Sequence, residues 1–90
     1  MRRDDYGNRE IDGVMCVWLQ DYGWQHAKLG RDLMVGDVLM YNFGHTASLV
    51  SIDRETPKSI FVTVQSHSTF DPGKIYTNIK IGKETYKPVE

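Results

Sequence analysis

Cysteine is nearly missing from this 90-residue chain: Cys16 stands alone, so no internal disulfide can form and no multi-cysteine zinc site can be built. An excess of one charge is missing too. Eleven Lys and Arg face twelve Asp and Glu, a formal net charge of -1, which removes the bulk electrostatic case for a nucleic-acid or membrane-surface protein. No apolar run approaches the roughly 18 residues needed to cross a bilayer. Residues 1–10 hold no apolar stretch of signal-peptide length. No membrane partner is therefore expected, and a soluble protein in a reducing interior is the reading these absences suggest. Neither G-x-G-x-x-G nor G-x-x-x-x-G-K-[ST] occurs, so no phosphate-cradling loop is expected. A chain near this length hides only roughly 60% of its unfolded surface, which allows one modest core and argues against a deep, walled catalytic pocket.

What is present reads as strands and turns. Residues 1–13 carry three arginines, four acids and two glycines, with Met1, Tyr6 and Ile11 as their only sizeable apolar groups. Such a segment offers too little burial to offset the entropy of ordering it. Residues 1–13 are thus expected as a flexible arm, and residues 14–90 as one domain. Val14-Met15-Cys16-Val17-Trp18-Leu19 is β-branched and aromatic; Asp21-Tyr22-Gly23 supplies a hairpin turn, and residues 24–27 form the return strand. Further apolar runs lie at residues 38–41, 48–53, 60–64, 74–81 and 85–89. Thr56-Pro57-Lys58 and Asp71-Pro72-Gly73 break them, the second because proline presets φ and glycine accepts the left-handed position. Alternation in residues 74–81 puts Ile75, Thr77, Ile79 and Ile81 inward and Tyr76, Asn78 and Lys80 outward. Residues 27–34 allow at most one short helical turn. The expected fold is all-β, an SH3-like or partly open small barrel of five to seven short strands. Its core should come from Val14, Cys16, Trp18, Leu33, Val38, Met40, Val50, Ile52, Ile60, Val62, Val64, Ile75, Ile79 and Ile81.

The string Asp32-Leu33-Met34-Val35-Gly36-Asp37-Val38-Leu39 opens a strand. Leu33 and Val35 would plug one end of the barrel, Gly36 would turn, and Asp37 would accept a backbone N–H just before the strand. Read instead as paired catalytic carboxylates, Asp32 and Asp37 lack a second supporting feature. With Trp24 and Ala27 ahead of it and a strand at 49–53 behind it, the string resembles the opening of hedgehog/intein-type (Hint) modules. Those modules place a nucleophilic cysteine upstream of an L-x-x-G-D turn, so the resemblance implies a reduced autoprocessing domain with Cys16 as nucleophile and His67 beside it. His67, however, stands in Val64-Gln65-Ser66-His67 rather than in T-x-x-H, and the chain ends Lys87-Pro88-Val89-Glu90 without the His-Asn pair of splicing inteins. The neighbours Met15, Val17 and Trp18 suggest a buried, inert thiol. From Ala27 onward the chain is more similar to small accessory proteins of tailed bacteriophages, especially those of actinobacterial hosts. The likeness is carried by a DL-x-VGDVL opening, a K-x-I-F-V-T-V strand, a glycine turn and a last strand near Pro88-Val89. It implies a phage accessory protein, working in the host cytoplasm, and no particular activity.

His26, His45 and His67 lie 19 and 22 residues apart, wider than the close pairs typical of zinc sites. Ser66, His67 and Ser68 are adjacent on an extended segment, point to opposite faces, and cannot build a triad locally. No catalytic residue, metal or cofactor is expected. Binding is. Trp24, Tyr41, Phe43 and Phe70 lie near turns, and aromatic groups are favoured anchors at protein interfaces. The expectation is a non-enzymatic binding module that engages a host or phage protein and is itself a monomer or weak homo-oligomer. The alternative uses the basic end of the chain. Residues 74–90 carry a net charge of +2 and residues 1–73 a net charge of -3. Tyr76, Lys80, Lys83, Tyr86 and Lys87 would there offer single-stranded nucleic acid a stacking and phosphate-contacting face.

Overall fold

A computed structural model of the chain describes residues 8–41 and 44–90; Phe43, one of the expected anchors, lies outside the described residues. The strands are β1 (Asn8–Ile11), β2 (Val14–Leu19), β3 (Gly23–Leu29), β4 (Val38–Met40), β5 (Thr46–Glu55), β6 (Ser59–Ser66), β7 (Ile75–Gly82) and β8 (Tyr86–Pro88), with a 3₁₀ turn at Gly30–Asp32. They form two four-stranded antiparallel sheets, ordered β1-β2-β3-β8 and β4-β5-β6-β7. The fold is all-β, as the strand and turn pattern predicts, but the sheets stay open and do not close into a barrel. An isolated bridge between Leu39 and Val89 joins them, reinforced by the Glu90 N–H donating to Val38 O at 2.9 Å, while the Val89 N–H continues the first sheet by donating to His26 O at 2.8 Å.

Strand β1 corrects the expectation that folded structure begins at Val14. It pairs with β2 from Asn8↔Val17 to Ile11↔Val14, although only Ile11 among its residues is even half-buried. Hydrogen bonds, not apolar burial, hold it. The turn that permits this is Asp12-Gly13, with φ of 53° and 81°, the two left-handed residues of a tight hairpin turn.

One cluster makes the main core: Leu33, Leu39, Ala47, Leu49, Ile60, Val62, Val64 and Ile81, with Tyr76, Ile79 and Val89 packed against it. Its strand residues come from the second sheet and from the end of the chain. Several expected core residues face elsewhere, because the sheet departs from strict alternation. On β5, extra residues at Val50 and Asp53 interrupt the pairing: Leu49↔Val64 is followed by Ser51↔Thr63, and Ile52↔Val62 by Arg54↔Phe61. Val50 is the extra residue of the first bulge and turns out to solvent, whereas Ile52, opposite Val62, keeps the core side but is 40% exposed. On β4 the buried residue is Leu39, opposite Ala47, rather than Val38 or Met40. Val14, Trp18 and Ile75 are exposed, and so is Val35, which plugs nothing. Leu33 does plug the core, and Asp37 behaves as its turn chemistry predicts: its Oδ2 accepts the Met34 N–H at 2.9 Å. Lys28 Nζ donates to the same carboxylate at 3.1 Å, tying β3 to this turn.

The junction between the sheets depends on close approach. Gly30 donates its N–H to Thr85 O at 2.9 Å and Arg31 its N–H to Lys83 O at 3.2 Å. A Cβ at Gly30 would overlap the Gly82 carbonyl, so only glycine lets the 3₁₀ turn sit against the end of β7.

Candidate functional site

The most developed site lies at the Ser66 end of the second sheet. A cavity of about 170 Å³ opens there, lined by Tyr41, Thr46, Ala47, Val64, Ser66, Tyr76 and Ile79. Its floor belongs to the core cluster, and its rim is aromatic. Tyr41 follows β4 and donates its N–H to His45 O at 2.8 Å, closing the connection to β5. Packing around the Tyr41 hydroxyl raises its pKa by desolvation, although the residue as a whole is 40% exposed. The His45 ring lies 5.9 Å from the Phe70 ring, tilted by 56°. Tyr41 and Phe70, distant in sequence, are thus linked through His45.

Phe70 is 87% exposed, yet the loop that carries it, residues 67–74, is heavily braced. Its backbone N–H donates to Ser68 Oγ at 3.1 Å, and the Ser68 N–H donates to Ser66 Oγ at 3.0 Å. Gly73 N–H donates to Ser66 O at 2.8 Å, and His67 N–H to Thr46 O at 2.9 Å. Asp71 sits at the centre, accepting the Ser66 hydroxyl at 2.7 Å and the Tyr76 hydroxyl. Those two donors, Tyr76 foremost, hold the Asp71 carboxyl below its usual range, with Lys74 and His45 adding attraction. The same bond raises the Tyr76 hydroxyl above its own.

Tyr76 is where sequence periodicity failed. Val62↔Ile79 is followed by Val64↔Tyr76, so Thr77 and Asn78 together oppose Thr63, and Asn78 takes φ of 58°. This bulge turns Tyr76 to the core side, while Lys80, opposite Phe61, stays outside. The expected outward row of Tyr76 and Lys80 does not exist. The other members of the expected nucleic-acid face are dispersed. Lys83 has a side chain only 16% exposed and pairs with Glu55. Tyr86 and Lys87 belong to the other sheet, opposite Leu29 and Lys28.

Trp24, the remaining expected anchor, is also on the first sheet. Its ring meets Trp18 edge-on at 5.5 Å and 74°, and the Arg9 guanidinium lies 5.7 Å from its centroid. On the same face Arg9, Cys16 and His26 form one cross-strand row. Cys16 is buried, and its cross-strand neighbours, the guanidinium-bearing Arg9 and the imidazole-bearing His26, come from other strands, which reading its own strand could not reveal.

His67 does not serve Cys16. Its Nδ1 meets Thr46 Oγ1 at 3.0 Å and its Nε2 meets Ser48 Oγ at 2.9 Å, both on the exposed side of β5. Ser48, rather than Ser66 or Ser68, is the serine beside this histidine. A hydroxyl, not a carboxylate, meets its other nitrogen, since Asp71 is committed to Ser66 and Tyr76. Among the described residues no group of three or more His, Cys, Asp or Glu side chains could hold a metal ion. No helix among them is long and apolar enough to cross a membrane. No protein-family model matches the chain, and neither a curated protein nor a solved structure matches it.

Proposed function

We propose that the protein is a non-enzymatic binding module that grips a partner protein with Phe70 and receives one of its apolar side chains in the cavity beside Tyr41 and Tyr76. The observation that carries this reading is a phenylalanine 87% exposed on a loop whose turns are fixed by side-chain hydrogen bonds. An exposed ring normally gains nothing by being held in place. Held in place, it binds without the cost of ordering its loop, which is how preorganised interfaces gain affinity. The cavity volume of about 170 Å³ is of the order of the ~150 Å³ that accommodates a benzene ring in an apolar site. A leucine, methionine or phenylalanine side chain is the matching occupant. The likeness of residues 27–90 to phage accessory proteins supports a host or phage protein as the partner.

Selection of a random peptide library on the immobilised full chain tests this. The selected peptides should share an apolar residue, and Phe70→Ser or Tyr41→Ser should each weaken them by about 2 kcal/mol, the size of an interface hot spot. Peptides with no common apolar residue, or equal binding to both variants, would contradict the proposal.

A further inference from the structure

At the opposite end of β6 the inner face of the second sheet opens again. A cavity of about 250 Å³ lies between the 3₁₀ turn and the far end of β5, lined by Gly30, Arg31, Leu33, Ile52, Glu55, Ile60 and Lys83. Its two halves differ in chemistry. Leu33 and Ile60 are buried members of the core cluster, and Ile52 adds a third aliphatic wall. Ile52 stands opposite the fully buried Val62, yet is itself 40% exposed, because the space in front of it is empty of side chains. The mouth carries two cations, Arg31 and Lys83, against one lining carboxylate, Glu55.

Each of the two cations is paired with a solvent-exposed carboxylate. Arg31 pairs with Glu84, whose side chain is 72% exposed, and Lys83 with Glu55, 64% exposed. Carboxylates so exposed remain well solvated and contribute little when paired, so an incoming anion can replace them. The Lys83 ammonium is the better placed cation: with its side chain 16% exposed, it lies where a ligand's carboxylate would be shielded from water. Backbone amides are not the receptor, since those of Gly30 and Arg31 already serve Thr85 and Lys83 carbonyls.

We propose that this cavity binds a carboxylate joined to a short apolar chain, the chain against Leu33, Ile52 and Ile60 and the carboxylate on Lys83 and Arg31. A free small acid and the C-terminus of a peptide ending in an aliphatic residue share that chemistry. The site is independent of the Phe70 loop.

The test uses the full chain, isotope-labelled, titrated with hexanoate, 1-hexanol and hexylamine, and with an acetylated peptide ending in leucine as free acid or as amide. Hexanoate should shift the amides of Arg31, Ile52, Ile60 and Lys83 and bind about tenfold more tightly than the alcohol, the order expected for one charge-assisted hydrogen bond. Lys83→Met should remove that advantage and leave hexanol binding unchanged; Arg31→Gln serves the same purpose should the first variant not fold. Tighter binding of the peptide acid than of its amide and of hexanoate assigns the site to protein C-termini. Hexanoate binding with no response to either peptide assigns it to small acids. Hexanol or hexylamine binding as tightly as hexanoate, shifts confined to other residues, or no response at tens of millimolar would overturn the proposal.

Discussion

The two sheets use similar residues in opposite ways. In the second sheet, Leu49, Val62 and Ile81 are the largest fully buried side chains, and they lie in one continuous cluster with Leu33 and Leu39. The first sheet places a tryptophan pair and an arginine on an open face, and none of the cluster's buried members lies in β1, β2 or β3. Stability therefore belongs to the second sheet, with the first attached through β8, the 3₁₀ turn and the Tyr22 ring, which packs against Gly44. Both cavities open at the ends of the stable sheet's inner face. Rigid strands set their walls, which is the arrangement that holds binding groups in position.

Core truncation should break the comparison most sharply. Leu49→Ala is expected to cost about 4 kcal/mol and Leu19→Ala, in the first sheet, only about 2 kcal/mol, both within the range for buried leucines. Urea denaturation measures both; equal losses would mean the sheets share one core. Next in size, Gly30→Ala should cost roughly 2–3 kcal/mol through the clash with Gly82, and its amide-shift changes should reach Thr85 and Lys83 across the junction. A double-mutant cycle on Trp18 and Trp24 should return a coupling of about 1 kcal/mol, typical of an edge-to-face pair. No coupling would show that the open face of the first sheet is not organised.

Smallest is the pH response, and it sharpens the picture of the Phe70 loop. The Asp71 carboxyl is held below the ordinary value of about 3.9 by the Tyr76 and Ser66 hydroxyls. Its stabilisation is complete above that value and is lost as pH falls through the lowered one. Asp53, bonded by Ser51 and Thr63, shifts in the same direction and responds in the same acid window. Tyr76 is raised above about 10, so its contribution is complete below that pH and is lost as pH rises through the raised value. Amide shifts of residues 67–74 should therefore move in acid and again in alkali, and Asp71→Asn should remove the acid step for that loop while leaving the Asp53 step in place.

Strand positions were legible in the sequence because β-branched runs and turn residues act locally. Val14–Leu19 is a strand with the expected bounds, and the 3₁₀ turn Gly30–Asp32 falls inside residues 27–34. What was not legible is phase. The bulges at Val50, Asp53 and Thr77-Asn78 leave no mark in a period-two pattern, and each reverses the faces of the residues beyond it. Tyr76 is the consequential case, since its turn inward removes one proposed face and completes another. The local signal that was available and unused is Asp12-Gly13, a strong hairpin dipeptide, which would have revealed β1. The partnership of Ser48 and Thr46 with His67 had no sequence signal, because strand pairing alone creates it.

Native-state hydrogen exchange tests the central asymmetry most directly, because it reads the opening free energy of each strand separately. Amides in the β5–β6 ladder should exchange only through global unfolding, and those in the β1–β2 ladder through smaller, local openings that leave the second sheet intact. Equal protection of the two ladders, with the same denaturant dependence, would contradict the account.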